Sequence, residues 1–232
     1  QSDGNEATEP VTADVQAEHS VWPQDPQFAL ALAGGVTSLQ VLPGSANLIG
    51  GRGVTLKNVS ARDVYAMKFP GAPHGLKMAC GENPKRVYGD KGGPSTRMAN
   101  FSGYRTAWIE AADYKKKWEK YWDEHAEWAK KNGDAKKPAA KGEDKAKEPE
   151  APTRDLKLET LAMALNGDIT VNMHCYRGDE MALVIDMAKE FGYKVTTFHH
   201  AIEAYKVADL LAENGICAAV WIERPMPGRH DS

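Results

Sequence analysis

No stretch of this chain comes near the 18 or more consecutive apolar residues that a membrane-spanning helix needs, and its start, Gln-Ser-Asp-Gly-Asn-Glu, has no basic segment followed by an apolar one. A span and a recognisable leader are therefore not expected. The first residue is not Met, which fits a processed start or a chain whose true start lies upstream; composition leaves cytoplasmic and exported proteins equally open. Net charge is small, −3 from 29 Lys and Arg against 32 Asp and Glu, so no broad basic field would recruit nucleic acid or anionic lipid. Cysteine is scarce and odd in number: Cys80, Cys175 and Cys217 show no CxxC spacing. That argues against a disulfide framework and a thiolate zinc site and suggests buried thiols. Nucleophile signatures are missing too, with no GxSxG and no protease-type Cys motif, and Gly50-Gly51-Arg52-Gly53 lacks phosphate-loop spacing.

What is present is an ordinary globular composition, 42% hydrophobic and 26% charged, with small-molecule partners as the default. Residues 1–20 are polar. Gln27 to Ala33 reads as a helix stopped by Gly34 and Gly35, and Val36 to Leu42 as a buried strand. Pro43 to Asn47 and then Gly50 to Gly53 read as a loop whose glycines permit close approach to a ligand. Short strands are expected at Gly53 to Leu56 and Gly75 to Ala79, and a helix from Thr96 to Lys130. Trp118 and Trp122 share a face of that helix, either packed on the rest of the protein or acting as a lid. Asn132 to Pro152 holds almost no large apolar side chain and reads as a flexible insertion rich in Lys, Glu and Pro.

Beyond it the pattern alternates without a break: helix Leu156 to Leu165, strand Ile169 to Met173, helix Asp179 to Phe191, strand Lys194 to Phe198, helix Ile202 to Glu213, strand Ile216 to Trp221. This predicts a parallel sheet with crossover helices, either a β/α barrel or an open doubly wound sheet. His174 leaves one strand at its end, and His199 and His200 leave the next. In such folds the carboxyl ends of the strands open onto one face, so these imidazoles are expected to converge. Neutral imidazole is a common zinc ligand, and a bound metal lowers the pKa of its water toward about 7. Lys77 lies within an apolar strand, where it is either an edge-strand lysine reaching solvent or a buried amine able to take up carbon dioxide as a carbamate. Glu82 is an oxygen-ligand candidate or a turn residue.

Four stretches carry a family resemblance: Gly34-Gly35-Val36-Thr37-Ser38-Leu39-Gln40-Val41-Leu42-Pro43-Gly44-Ser45-Ala46-Asn47, Leu76-Lys77-Met78-Ala79 with Gly81-Glu82-Asn83, Met173-His174-Cys175-Tyr176-Arg177, and Phe198-His199-His200-Ala201. From Pro10 to Trp221 the chain resembles the imidazolonepropionase-like amidohydrolases of the metal-dependent hydrolase superfamily. The resemblance implies part of a TIM-type (β/α) barrel over residues 21–221, with an insertion at 98–155 and an irregular tail at 222–232. It implies hydrolysis of an amide or cyclic amide C–N bond by metal-activated water. His174 and His200 would be ligands, with His199 the alternative to His200, and Lys77 matches a lysine that is carboxylated in binuclear members. One or two divalent ions, zinc foremost, are expected. Tyr176, Arg177 and Asn47 would face an amide or peptide-like substrate. A prolidase-like dipeptidase fits the same residues, and an oligomer is compatible with them. The family's first-strand His-x-His and last-strand Asp do not occur within the chain, so a fragment, a non-catalytic truncated barrel or a binding protein is the competing expectation. His230 and Asp231 are not expected to be ligands.

Overall fold

The computed structural model describes residues 3–132 and 147–220. The expected flexible stretch Asn132 to Pro152 lies largely outside the described residues, as do the tail at 222–232, with His230 and Asp231, and Trp221. The chain forms a six-stranded mixed sheet in the order β1-β2-β3-β4-β5-β6, curled as a half barrel with helices on its outer side. The strands are β1 Ser38–Val41, β2 Ile49–Lys57, β3 Gly75–Ala79, β4 Thr170–His174, β5 Val195–His199 and β6 Cys217–Ala219. β3 to β6 are parallel. β1 and β2 are antiparallel to their neighbours.

The parallel part follows from its sequence. Leu76, Met78, Val171, Met173 and Phe198 are all fully buried on the helix-facing side of β3, β4 and β5. Between these strands run helices α3 Glu82–Tyr88, α4 Arg97–Asn132, α5 Leu156–Asn166, α6 Gly178–Phe191 and α7 Ala208–Glu213, the earlier helices being α1 Pro26–Ala33 and α2 Val64–Met67. Their ends are written in the chain. The Asp155 carboxylate accepts from the amides of Lys157 and Leu158 at the start of α5, and Gly167 and Gly192 take left-handed backbone angles at the ends of α5 and α6. The first five turns of α4 bury Tyr104, Ala107, Trp108, Ala111 and Tyr114, with Trp108 stacked on Tyr193 at 4.3 Å between centroids. Farther along, Trp118 is half-buried beside a cleft of about 410 Å³ that Tyr114, Ala162 and Met163 also line, while Trp122 is largely exposed. The shared tryptophan face thus packs only in part, and the cleft's lining includes none of the histidines.

Two expectations for the first half are corrected. The strand near Val36 to Leu42 is half-exposed, because β1 pairs antiparallel with β2 over a small separate core of Val54, Leu56, Val64 and Met67. Gly50 to Gly53 lie inside β2, so their close approach is to the chain itself. Residues 10–18 run beside this strand, bridging Val11 to Ile49 and Gln16 to Arg52. Gly51 has φ +107, and a Cβ there would sit 2.5 Å from the Val15 carbonyl oxygen.

Candidate functional site

Alternation along parallel strands in register assembles the site. Lys77 pairs with Asn172, Asn172 with Thr197, Ala79 with His174, and His174 with His199. Because side chains two apart share a face, these residues line the concave side of the sheet, opposite the apolar set. His174, at the end of β4, is 2% exposed. Its Nε2 lies 3.1 Å from Asn83 Nδ2. Arg86 donates to Asn83 Oδ1 at 3.4 Å, which orients the amide so that its N–H faces His174. Nε2 is then the acceptor and the ring proton sits on Nδ1, a buried atom with no hydrogen-bond partner among the described residues.

His200 reaches the same place by a backbone turn. It has φ +58, a left-handed conformation uncommon outside glycine, and its ring lies 5.0 Å from that of His174. Tyr176 packs edge-on against His174 at 4.6 Å. His199 stays in the strand and is held through Nε2 by Asn172 Oδ1 at 3.1 Å. Lys77 lies on a central strand, is 4% exposed and donates to the Pro43 carbonyl at 3.2 Å and to Ser45 Oγ at 3.0 Å. The edge-strand alternative for it is therefore overturned.

Burial and mutual repulsion set the charges. Desolvation, reinforced by Lys77 and the other imidazoles, pushes His174 down to about 3 and His199 to about 4. His200 moves the same way through burial and Lys77. Burial alone brings Lys77 down to about 8. At neutral pH the three imidazoles are therefore uncharged, with lone pairs free of protons, as metal ligation requires. This donor set of neutral imidazoles fits a divalent ion, His174 offering Nε2, the nitrogen that Asn83 faces. The three rings do not meet the distance of a closed site: among the described residues only Cys80, Cys175 and Glu180 bring three ligand atoms within 4.8 Å of one another.

Other expected residues are engaged elsewhere. Glu82 pairs with Lys85 at 3.1 Å. Arg177 grips Asp179 through two nitrogens at 2.9 and 2.7 Å. Asn47 is a correction: its amide lies against the carbonyls of Glu6 and Glu9, Thr12 Oγ1 and Tyr88 Oη, so it fastens the N-terminal segment and is not in the histidine cluster. The expectation of three free thiols is also corrected. Cys80 and Cys175 form a disulfide with Cα atoms 5.2 Å apart, because each directly follows one of two adjacent parallel strands; Cys217 alone is free and exposed. Asn83 and Asn172 were not singled out beforehand. Asn172 had a readable signal, a polar residue two before His174 in an apolar strand; Asn83 stands in the first turn of α3, 91 residues from His174, where the sequence reads as a loop.

A mixed sheet curled as a half barrel, with imidazoles gathered at the carboxyl ends of adjacent parallel strands, defines the class of α/β half-barrel chains with a strand-end site. Comparison with known proteins finds similarity to proteins named amidohydrolase. The chain is 32% identical over 219 residues to the amidohydrolase TasK of Hapsidospora irregularis, an alignment covering 90% of this chain and 21% of that protein. It superposes on the crystal structure of an amidohydrolase from Thermotoga maritima MSB8 with a TM-score of 0.79 and 38% identity, covering 99% of this chain and 53% of that one. Both relatives bear the name amidohydrolase. No family model matches the sequence. The chain spans about half the length of the solved relative and about a fifth of the curated one.

Proposed function

We propose that this chain carries the central strands of a metal-dependent amidohydrolase of the imidazolonepropionase-like kind, hydrolysing an amide or cyclic amide C–N bond. The observation that carries the reading is the pairing of His174 and His200, their rings 5.0 Å apart where two adjacent parallel strands end, both biased to the neutral form. These two would hold a divalent ion, zinc by the chemistry of the donors. Such an ion, when bound, polarises a carbonyl and makes water a stronger acid. The chain's own residues do the rest. Asn83 fixes the tautomer of His174, and Asn172 fixes the ring of His199, which stands in reserve as a ligand. Lys77, a buried amine held down to about 8, is the group that would carry a carbamate if a second ion is present. Tyr176, against His174, would border the substrate, with Arg177 beyond it.

A second reading, that this chain is a non-catalytic barrel piece, is favoured by one observation: no carboxylate is among the charged groups that shift the three histidines. Elemental analysis of the purified chain, beside a His174→Ala, His200→Ala variant, tests the first reading. Stoichiometric zinc in the wild type and none in the folded variant is expected; a wild type that is folded yet metal-free at saturating zinc sinks it.

A further inference from the structure

Behind the histidine cluster, on the other side of the sheet, lies a second group of donors. Cys80 follows Ala79 at the end of β3 and Cys175 follows His174 at the end of β4, so by alternation both sulfurs share the face of Met78 and Met173 and turn away from His174. They sit within the main core, 1% and 0% exposed. Glu180, from the first turn of α6, completes the group: its carboxylate and the two sulfurs all lie within 4.8 Å of one another, and it is itself 1% exposed. Burying a carboxylate is costly, and a closed disulfide has neither charge nor strong donor to offer it. Countercharge comes from Arg97, whose Nε is 3.1 Å from Glu180 Oε2.

We infer that Cys80, Cys175 and Glu180 form a thiolate-carboxylate site for a thiophilic divalent cation in the reduced chain, and that the disulfide is the metal-free, oxidised state of the same site. Two thiolates and a carboxylate are zinc-type donors, and ligand atoms around a four-coordinate zinc stand roughly 3.8 Å apart, a separation the sulfurs reach once the bond between them opens. The strand ends keep the donors in place: the Cys80 amide donates to the His174 carbonyl at 2.8 Å and the Cys175 amide to the His199 carbonyl at 3.1 Å, independently of the disulfide. Charge balance favours the exchange. With the disulfide closed, Glu180 and Arg97 cancel; with a dication bound to two thiolates, the same four groups and the ion again sum to zero, so the core holds no net charge in either state.

The steps balance. A dithiol reductant delivers two electrons and two protons to the Cys80–Cys175 bond and closes to its own disulfide. The cation then takes both sulfurs as two protons leave to solvent.

The test is cobalt titration of the chain in a Cys217→Ser background, which removes the free surface thiol. The protein is reduced with a phosphine, which leaves as its oxide, and desalted without oxygen. Thiols counted in denaturant should rise from none to two. Expected is a sulfur-to-cobalt charge-transfer absorption saturating at one equivalent, absent from the oxidised chain and from Cys80→Ser, Cys175→Ser. Glu180→Gln should weaken cobalt at least tenfold while keeping the band, since the sulfurs remain. The His174→Ala, His200→Ala variant should keep it too, which separates this site from the imidazole cluster. A reduced chain with both thiols counted and native circular dichroism but no band overturns the inference and leaves a structural disulfide. Unfolding on reduction that cobalt does not reverse overturns it equally.

Discussion

His174 and His199 are neutral because the fold keeps them from water, and this makes their burial sensitive to acid. In the unfolded chain a histidine titrates near 6.5; here the two are held down to about 3 and about 4. Between those limits the unfolded chain binds more protons than the folded one, so stability is full above about pH 6.5 and falls as pH drops toward 3. Denaturant melts between pH 3 and 7 should show that slope, and His174→Gln should flatten part of it. Lys77 carries a penalty of the same sign at higher pH. Its folded value of about 8 lies below the ordinary lysine value of 10.5, so at pH 7 it is protonated at a cost in a buried place. Lys77→Met is expected to raise stability at pH 7 by up to about 3 kcal/mol, with the gain fading as pH climbs from about 8 to about 10.5. Equal stability of the two chains at pH 7 and 10.5 would mean that the Pro43 and Ser45 acceptors fully offset the burial.

At the scale of elements, β3 to β6 and the helices α4, α5 and α6 were readable, because alternating apolar strands and three-four spaced helices have distinct periods; α3 reads as a loop in the sequence, and α7 starts at Ala208, not at Ile202. That His174 would lie near His199 and His200 was readable for the same reason, as they leave adjacent strands; the choice of His200 over His199 came from the family resemblance. Gly50 to Gly53 misled, since glycine gives the same signal whether a ligand or the chain's own backbone approaches. What approaches is the segment Val11 to Gln16. Gly51→Ala should therefore cost about 2 kcal/mol or more, through both the positive φ and the contact with the Val15 oxygen. Thermal melting measures the cost, and faster proteolysis within residues 10–18 locates it. The cysteines were misread because their pairing lies in strand register and not in sequence spacing. A separation of 95 residues places α3, α4 and α5 inside the disulfide loop.

At the scale of the molecule, the sheet is asymmetric. β1 is covered by little, β3 and β4 are walled on both sides by partners, and β6 is exposed along its whole length with no strand beyond it among the described residues. Exposed strand edges pair with other chains unless charge prevents it. The chain should therefore self-associate with rising concentration, and Ala218→Lys should suppress this in light scattering while leaving the melting temperature within a few degrees. An unchanged mass distribution would direct attention away from β6. Among the described residues no helix is long and apolar enough to cross a membrane.

The outer half of α4 has an optical consequence. Trp118 and Trp122 hold their rings 5.9 Å apart and inclined by 30°, close enough for their excited states to mix. Such a pair gives a split circular-dichroism couplet that vanishes when one indole is replaced by phenylalanine. That couplet is a label-free gauge of whether this stretch of helix is wound, readable while the buried Trp108 reports separately on the core.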